Sequence, residues 1–190
     1  MRISRQCRAE IIKSDWYCLT CGWKPQVLSG STILDPHITD QDLGFPQDAF
    51  EKLYYLESEH FWFRDRKKLI VWAMYKYFSV AKTILEIGCR AGFVLEGFKK
   101  ANPKLILTAR DVLARALSFA KQRIAGLNCV QFDATDIPYR EEFDLVVACD
   151  VLEHIEDDHK VLRSIKQALN PSGGIMITVP QLSTLVEQHR

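Results

Sequence analysis

The spacing of apolar positions changes several times along the chain, and each change marks an element. From Thr83 the run Thr-Ile-Leu-Glu-Ile is short, apolar and β-branched. It breaks at Gly88-Cys89-Arg90-Ala91-Gly92, after which Phe93-Val94-Leu95-Glu96-Gly97-Phe98 takes up helical spacing. That is a strand, a tight turn and a helix. Four more short apolar runs follow, Leu105 to Arg110, Cys129 to Phe132, Phe143 to Cys149 and Ile175 to Val179. Helical faces lie between them: Leu113, Leu117, Ala120 and Ile124, then Val161, Leu162, Ile165 and Leu169 behind a cap at Asp158. Asn170-Pro171-Ser172-Gly173-Gly174 reads as a turn into the last strand. Alternating strand and helix predict an α/β fold, a doubly wound and mostly parallel sheet with helices on both faces.

Upstream the pattern is less regular. Val27 to about Asp48 is rich in Gly, Pro, Ser and Asp without a period, and predicts a linker. A helix starts around Pro46-Gln47-Asp48 and runs through Leu53, Tyr54 and Leu56; another carries Ile70, Met74 and Tyr77 on one face. Between them stands Glu59-His60-Phe61-Trp62-Phe63-Arg64. Consecutive helical positions point in different directions, so Phe61 and Phe63 are expected to plug the helix against the sheet while His60 and Trp62 reach a pocket. The expected division is a Cys-containing segment over 1–30, a linker over 31–48, a helical cap over 49–78 and the α/β domain over 79–190.

Composition narrows the partners. The 190 residues are 47% apolar and carry a net charge of +1, enough for one sizeable core and without the basic field of a nucleic-acid binder. No apolar run approaches the ~20 residues of a membrane span, and the first residues lack a secretory signal's apolar core. A soluble, cytoplasmic protein is expected. Cys89, Cys129 and Cys149 lie in apolar strand contexts and read as buried thiols, whereas Cys7, Cys18 and Cys21 cluster in sequence, the last two as Cys-x-x-Cys-Gly. A zinc ribbon uses two such knuckles, but here Ser4 stands where the partner of Cys7 would be. Two readings stand: a structural zinc on Cys7, Cys18 and Cys21 with His37 or water as fourth ligand, or no metal at all, as a remnant ribbon or a loose thiol pair prone to oxidation.

The turn after the first strand carries the most chemistry. Glycines there let the backbone approach a ligand, and helix N-terminal amides point at it. Dinucleotide folds use Gly-x-Gly-x-x-Gly. Here the spacing is Glu86-x-Gly88-x-Arg90-x-Gly92, with a carboxylate that would repel phosphate and suit a cationic ligand. This resembles motif I of the class I S-adenosylmethionine-dependent methyltransferases, with Arg90 where the family's middle glycine usually sits. Phe143-Asp144-x-Val146-x-x-x-Asp150-Val151-Leu152-Glu153-His154-Ile155 is similar to the family's region after strand four, and His60-Phe61-Trp62-Phe63 with Arg64 and Arg66 to the stretch before the core. The resemblance runs from about His60 to Pro180.

It implies a Rossmann-like domain that binds S-adenosylmethionine, with Glu86, Gly88, Cys89, Arg90 and Gly92 forming the cradle. Asp111, about 20 residues past the turn, would meet the ribose, as Rossmann-type folds place an acid there, with Val112 beside it; a helix cap is its other reading. Asp133 and the amide of Ala134 would meet adenine, with Ile137 on its face, and Asp150 and Val151 would complete the pocket. Arg64 or Arg66 would meet the methionine carboxylate. Arg90 either points to solvent or crowds the donor. His154 is the candidate catalytic base, or else a histidine bonded within its loop. Signatures for nucleic-acid bases are missing, which favours transfer to a small-molecule or lipid-linked acceptor. The family's sheet has seven strands and this chain stops about a turn past the fifth, so an exposed edge is expected, covered by the N-terminal segment or by a second copy in a homodimer. The alternatives are a catalytically inactive or truncated donor-binding relative with a regulatory role, and a zinc-ribbon interaction module with a vestigial α/β domain.

Overall fold

The structure, a computed structural model, describes residues 1–11, 15–38 and 49–180. In chain order the elements are β1 (Arg2–Ile3), β2 (Glu10–Ile11), β3 (Gln26–Leu28), β4 (Ser31–Ile33), α1 (Ala49–Glu59), α2 (Phe61–Phe78), β5 (Thr83–Ile87), α3 (Phe93–Ala101), β6 (Ile106–Asp111), α4 (Ala114–Arg123), β7 (Asn128–Gln131), β8 (Phe143–Cys149), α5 (Asp158–Ala168) and β9 (Leu169–Thr178). Seven strands form one sheet in the order β3-β4-β7-β6-β5-β8-β9. From β4 to β9 every pairing is parallel, as continuous apolar runs separated by helices require. The fold is α/β and Rossmann-like, and the strand order reverses at β5, beside the glycine turn.

The expected linker needs correction. Gln26–Leu28 and Ser31–Ile33 form an antiparallel hairpin that adds to the β7 edge of the sheet. Its turn is Ser29-Gly30, both with positive φ (50° and 73°), the two-residue geometry that matches strand twist. The expected helix start at 46–48 lies outside the described residues. Asn170 to Gly173 is a bulge rather than a separate turn, because Phe143 pairs with Leu169 while Leu145 pairs with Gly174. Asp157, not Asp158, caps α5, its carboxylate accepting the Lys160 amide. Among the described strands β3 and β9 are the two outer ones of this sheet. No described helix is long and apolar enough to cross a membrane.

Two apolar layers bury the sheet. One holds Ile70, Met74, Leu95, Phe98 and Leu117 from α2, α3 and α4 against Ile84, Leu107 and Leu145. The other packs Val161 and Ile165 of α5 beside Trp16, Cys18 and Ile11 against Leu85, Val130 and Val146. The N-terminal segment therefore shares the core of the α/β domain. Of the two residues expected to form a plug, Phe61 is 70% exposed and Phe63 half-buried, and Trp62, expected to reach a pocket, is 47% exposed. His60 caps α2, its Nδ1 accepting the Trp62 amide at 3.3 Å, and stacks on Phe61 instead of reaching a pocket.

Candidate functional site

The turn after β5 is held on three sides. At Gly88 (φ 69°) a Cβ would lie 2.4 Å from Val151 Cγ2, and at Gly92 (φ 73°) 2.9 Å from Ala120 Cβ. Only glycine fits either place. Between them Arg90 takes φ 48°, a left-handed conformation unusual for a side chain with Cβ. Its amide donates to Asp111 Oδ2 at 2.9 Å, while Asp111 Oδ1 accepts the Leu113 amide at 3.0 Å. Asp111 thus braces the turn and opens the loop before α4 at once, so its capping and binding readings are not exclusive. Burial raises its pKa, against the pull of Arg110 and these amides.

Glu86 at the end of β5 is buried, and its Oε2 has no hydrogen-bond partner. Burial pushes its carboxyl well above the usual range, helped by the charges of Glu57 and Asp111. Glu57, on α1, is raised to about 7 by burial, although Arg123 lies 3.1 Å away and Arg90 also pulls it down. Glu57, Phe63, Arg66, Glu86, Cys89 and Arg90 border a small cavity of about 40 Å³. Arg90 is half-buried and borders this cavity and a larger one, which sets aside the expectation that it simply points to solvent.

The larger cavity, about 580 Å³, lies at the carboxyl ends of the parallel strands. Gly88, Arg90, Asp111, Val112, Asp133, Asp150, Val151 and His154 line it, so residues far apart in sequence meet at one cavity. Glu86 and Cys89 face the small cavity instead, Gly92 packs behind the turn on α4, and Ala134 is buried. Ile137 is also core rather than cavity wall, and its amide donates to Ser164 Oγ at 2.6 Å. Asp133 accepts the Thr135 amide at 2.8 Å. Asp150 (φ 53°) pairs with Arg66 at 2.6 Å and accepts from Thr178 Oγ1. Arg66 is thereby committed to Asp150, and it stacks on Trp62. The His154 side chain is 68% exposed at the cavity rim, its Nε2 3.9 Å from Glu153. That is too long for a hydrogen bond, so the loop-bonded reading finds no support.

Ile38, Phe50, Arg110, Leu113 and Ile155 also line the cavity and were not anticipated. Arg110 could have been: it is the one charge in the run Leu105 to Arg110. It is buried, donates from Nε to the Phe132 carbonyl at 2.6 Å, and burial lowers its pKa. Phe50 brings α1 over the cavity by packing on Leu113 and Ala116. Arg123 latches that helix to the turn, donating to the carbonyls of Ala91 and Tyr54.

A second cluster lies in the N-terminal segment. The ligand atoms of Cys7, Cys18 and Cys21 lie within 4.8 Å of one another. Cys18 is lowered to about 6, first by the Cys21 amide, against burial; burial raises Cys21. His37 is exposed and does not join the group, contrary to its expected place as fourth ligand.

Comparison with known proteins finds similarity to methyltransferases. Residues 85–175 match the family model described as a methyltransferase domain. Malonyl-[acyl-carrier protein] O-methyltransferase from Priestia megaterium is 23% identical over 60% of this chain and 42% of its own length. Ubiquinone biosynthesis O-methyltransferase from Glaesserella parasuis is 32% identical over 51% of this chain and 44% of its own. The chain spans less than half the length of these curated relatives. Among solved structures, a putative S-adenosyl-L-methionine-dependent methyltransferase from Methanococcus maripaludis superposes with a TM-score of 0.63 at 20% identity, covering 70% of this chain and 63% of that one. The N-methyltransferase NodS from Bradyrhizobium japonicum, solved with S-adenosyl-L-homocysteine, gives 0.56 at 24% identity over 68% and 70% of the two chains.

Proposed function

We infer that residues 85–175, which match a methyltransferase domain model, form a class I S-adenosylmethionine-dependent methyltransferase domain, and that the chain transfers a methyl group from S-adenosylmethionine to an oxygen of a small-molecule or lipid-linked acceptor. The observation that carries this reading is the 580 Å³ cavity joining the Gly88 turn to Asp111 and Asp133 at the strand order's reversal. The residues fit the donor. A Cβ at Gly88 would close the cradle, and the orphaned Glu86 Oε2 beside the small cavity suits the donor's ammonium end. Asp111, fixed by two amides, keeps lone pairs for ribose hydroxyls, and Asp133 and the Ala134 amide serve the base. When bound, the donor supplies a sulfonium-activated methyl group.

The chain's own part is to hold the donor in line with an acceptor and to shield them from water. Arg66 neutralises Asp150 at the wall where the methyl end would lie. An acceptor hydroxyl must lose its proton, and His154, exposed at the rim, is placed to take it. The names of the O-methyltransferase relatives support an oxygen acceptor. We also assign Cys7, Cys18 and Cys21 to a structural zinc. Six unpaired cysteines suit a reducing cytoplasm. The outer side of β9 would suit a second copy in a homodimer. Arg90, wedged at φ 48° between the two cavities, is the observation that favours the second reading, a donor-binding relative without turnover.

Calorimetric titration with S-adenosylhomocysteine tests donor binding. Affinity on the order of micromolar is expected, weakened at least roughly tenfold in Asp111→Asn, which keeps one acceptor oxygen. No heat from a folded sample would sink the reading. Binding without transfer to any hydroxyl or carboxyl acceptor would select the second one.

A further inference from the structure

The N-terminal thiol cluster has a fourth corner. Ser4 Oγ lies 3.7 Å from Cys21 Sγ, and Cys7 Sγ lies 3.6 Å from Cys18 Sγ. A tetrahedral zinc with Zn–S near 2.3 Å sets its ligand sulfurs roughly 3.8 Å apart, so these separations already match a coordination shell. Ser4 also behaves as the first ligand of a knuckle does: its Oγ accepts the amides of Gln6 and Cys7, at 3.3 and 3.4 Å. The Cys18 knuckle is closed in turn by the Gly22 amide donating to the Cys18 carbonyl at 2.8 Å.

The first knuckle carries Arg5 between its two ligand positions. Arg5 reaches out of the cluster to Asp35 at 2.8 Å and to Asp136 at 2.5 Å, and its side chain is only 10% exposed. Asp35 then accepts the backbone amide of Asp133 at 2.8 Å. Asp133 lines the donor cavity where adenine is assigned. One guanidinium therefore links a coordination shell to the loop that reads the base.

We propose that Ser4, Cys7, Cys18 and Cys21 are the four corners of one zinc site, and that its occupancy sets donor affinity through Arg5, Asp35 and Asp133. The proposal rests on the donor reading above and extends it to regulation. The physical basis is that metal fixes residues 4–7, which are too few to hold a conformation alone. Without it Arg5 is released, and Asp35 is left without its cation beside the base loop, while Asp136 keeps Arg8. Removing one partner of a buried pair is costlier than the pair itself is favourable. Linkage makes the effect mutual: donor binding should in turn tighten the metal.

The test uses the whole chain, prepared with zinc and desalted. About one zinc per chain is expected by elemental analysis, absent in Cys18→Ser, and released to EDTA more slowly in Ser4→Cys. Stripping the zinc should weaken S-adenosylhomocysteine roughly tenfold, within the usual range for coupled sites, and adding it back should restore affinity. Asp35→Asn, or the milder Arg5→Gln should that variant misfold, should keep zinc yet bind S-adenosylhomocysteine as weakly as the stripped chain. Equal affinity with and without zinc would overturn the coupling. A chain that binds S-adenosylhomocysteine but retains no zinc would overturn the metal site. Zinc bound with no S-adenosylhomocysteine binding would instead sink the donor reading and the coupling with it.

Discussion

The two faces of the sheet are covered by different means. On one, α2, α3 and α4 bury Met74, Leu95, Phe98 and Leu117. Helices satisfy their own backbone, so apolar stripes at helical spacing are enough. On the other, α5 shares the work with a segment whose β1 and β2 have two residues each. Such a segment is joined to the domain by a few main-chain bonds, the Ile3 amide donating to the Pro138 carbonyl at 3.0 Å and the Arg140 amide to the Met1 carbonyl at 2.8 Å, and by side chains: Trp16 edge-on to Tyr139 at 5.3 Å, Arg5 and Arg8 on Asp136, and the thiol cluster. Coverage by regular elements is spread over many contacts; coverage by an irregular segment depends on a few. The sharpest way to break this contrast is to truncate one buried ring on each side. Phe98→Ala should cost about 3–5 kcal/mol of global stability in urea. Trp16→Ala should cost less globally, while hydrogen exchange speeds up across residues 1–11 and 26–33 and stays slow in α3. Equal global losses, with exchange rising everywhere, would mean that both faces unfold as one unit.

The faces should also differ in the sign of their pH dependence. Glu57, held by α1 above the helical side, has its carboxyl raised to about 7 by burial. Protonated in the folded chain yet ionised in the unfolded one, it favours folding below its unfolded pKa of about 4.5, and that contribution fades as pH rises to about 7. Wild type should therefore lose up to about 3 kcal/mol relative to Glu57→Gln across that window. Asp136, in the N-terminal network, goes the other way: burial opposes its charge, but Arg8 and Arg5 prevail and lower its pKa. Its contribution is present above the unfolded carboxyl range and lost as pH falls below it. Comparing Glu57→Gln and Asp136→Asn with wild type at pH 3.5, 5 and 7.5 should give slopes of opposite sign, and a pH-independent difference for either variant would refute its assignment.

The same contrast explains what the sequence disclosed. The strand, turn and helix from Thr83 to Phe98 were legible because the period switches from two to 3.6 across glycines that need positive φ. Convergence of Asp111, Asp133 and Asp150 on one cavity followed from parallel strands ending at one edge. The β3–β4 hairpin was missed although Ser29-Gly30 between Val27-Leu28 and Thr32-Ile33 is a hairpin signal, because surrounding Pro and Ser outweighed it. Asp35 was invisible for another reason: its role depends on Arg5 and on the Asp133 amide, 30 and 98 positions away, and no local pattern encodes that meeting. Arg66 was assigned to a ligand's carboxylate because its partner Asp150 belongs to a different element.

Arg90 is where local sequence and local backbone disagree most openly. At φ 48° it occupies a conformation that costs an L residue about 1–2 kcal/mol and glycine almost nothing. Part of that cost is returned by the lower entropy of the unfolded arginine chain. Arg90→Gly should therefore raise stability by about 0.5–1 kcal/mol, read as a higher urea midpoint. Arg90→Ala keeps the strained φ and loses the positive charge that favours ionised Glu57 and Glu86, so it should gain nothing. The atom at this position that faces Asp111 is the amide, which both variants retain. Affinity for S-adenosylhomocysteine should then stay within about threefold of wild type in each, well under one kcal/mol. A gain in stability for alanine equal to that for glycine would locate the cost in the arginine side chain, and a large rise in affinity for both would show that the side chain crowds the donor.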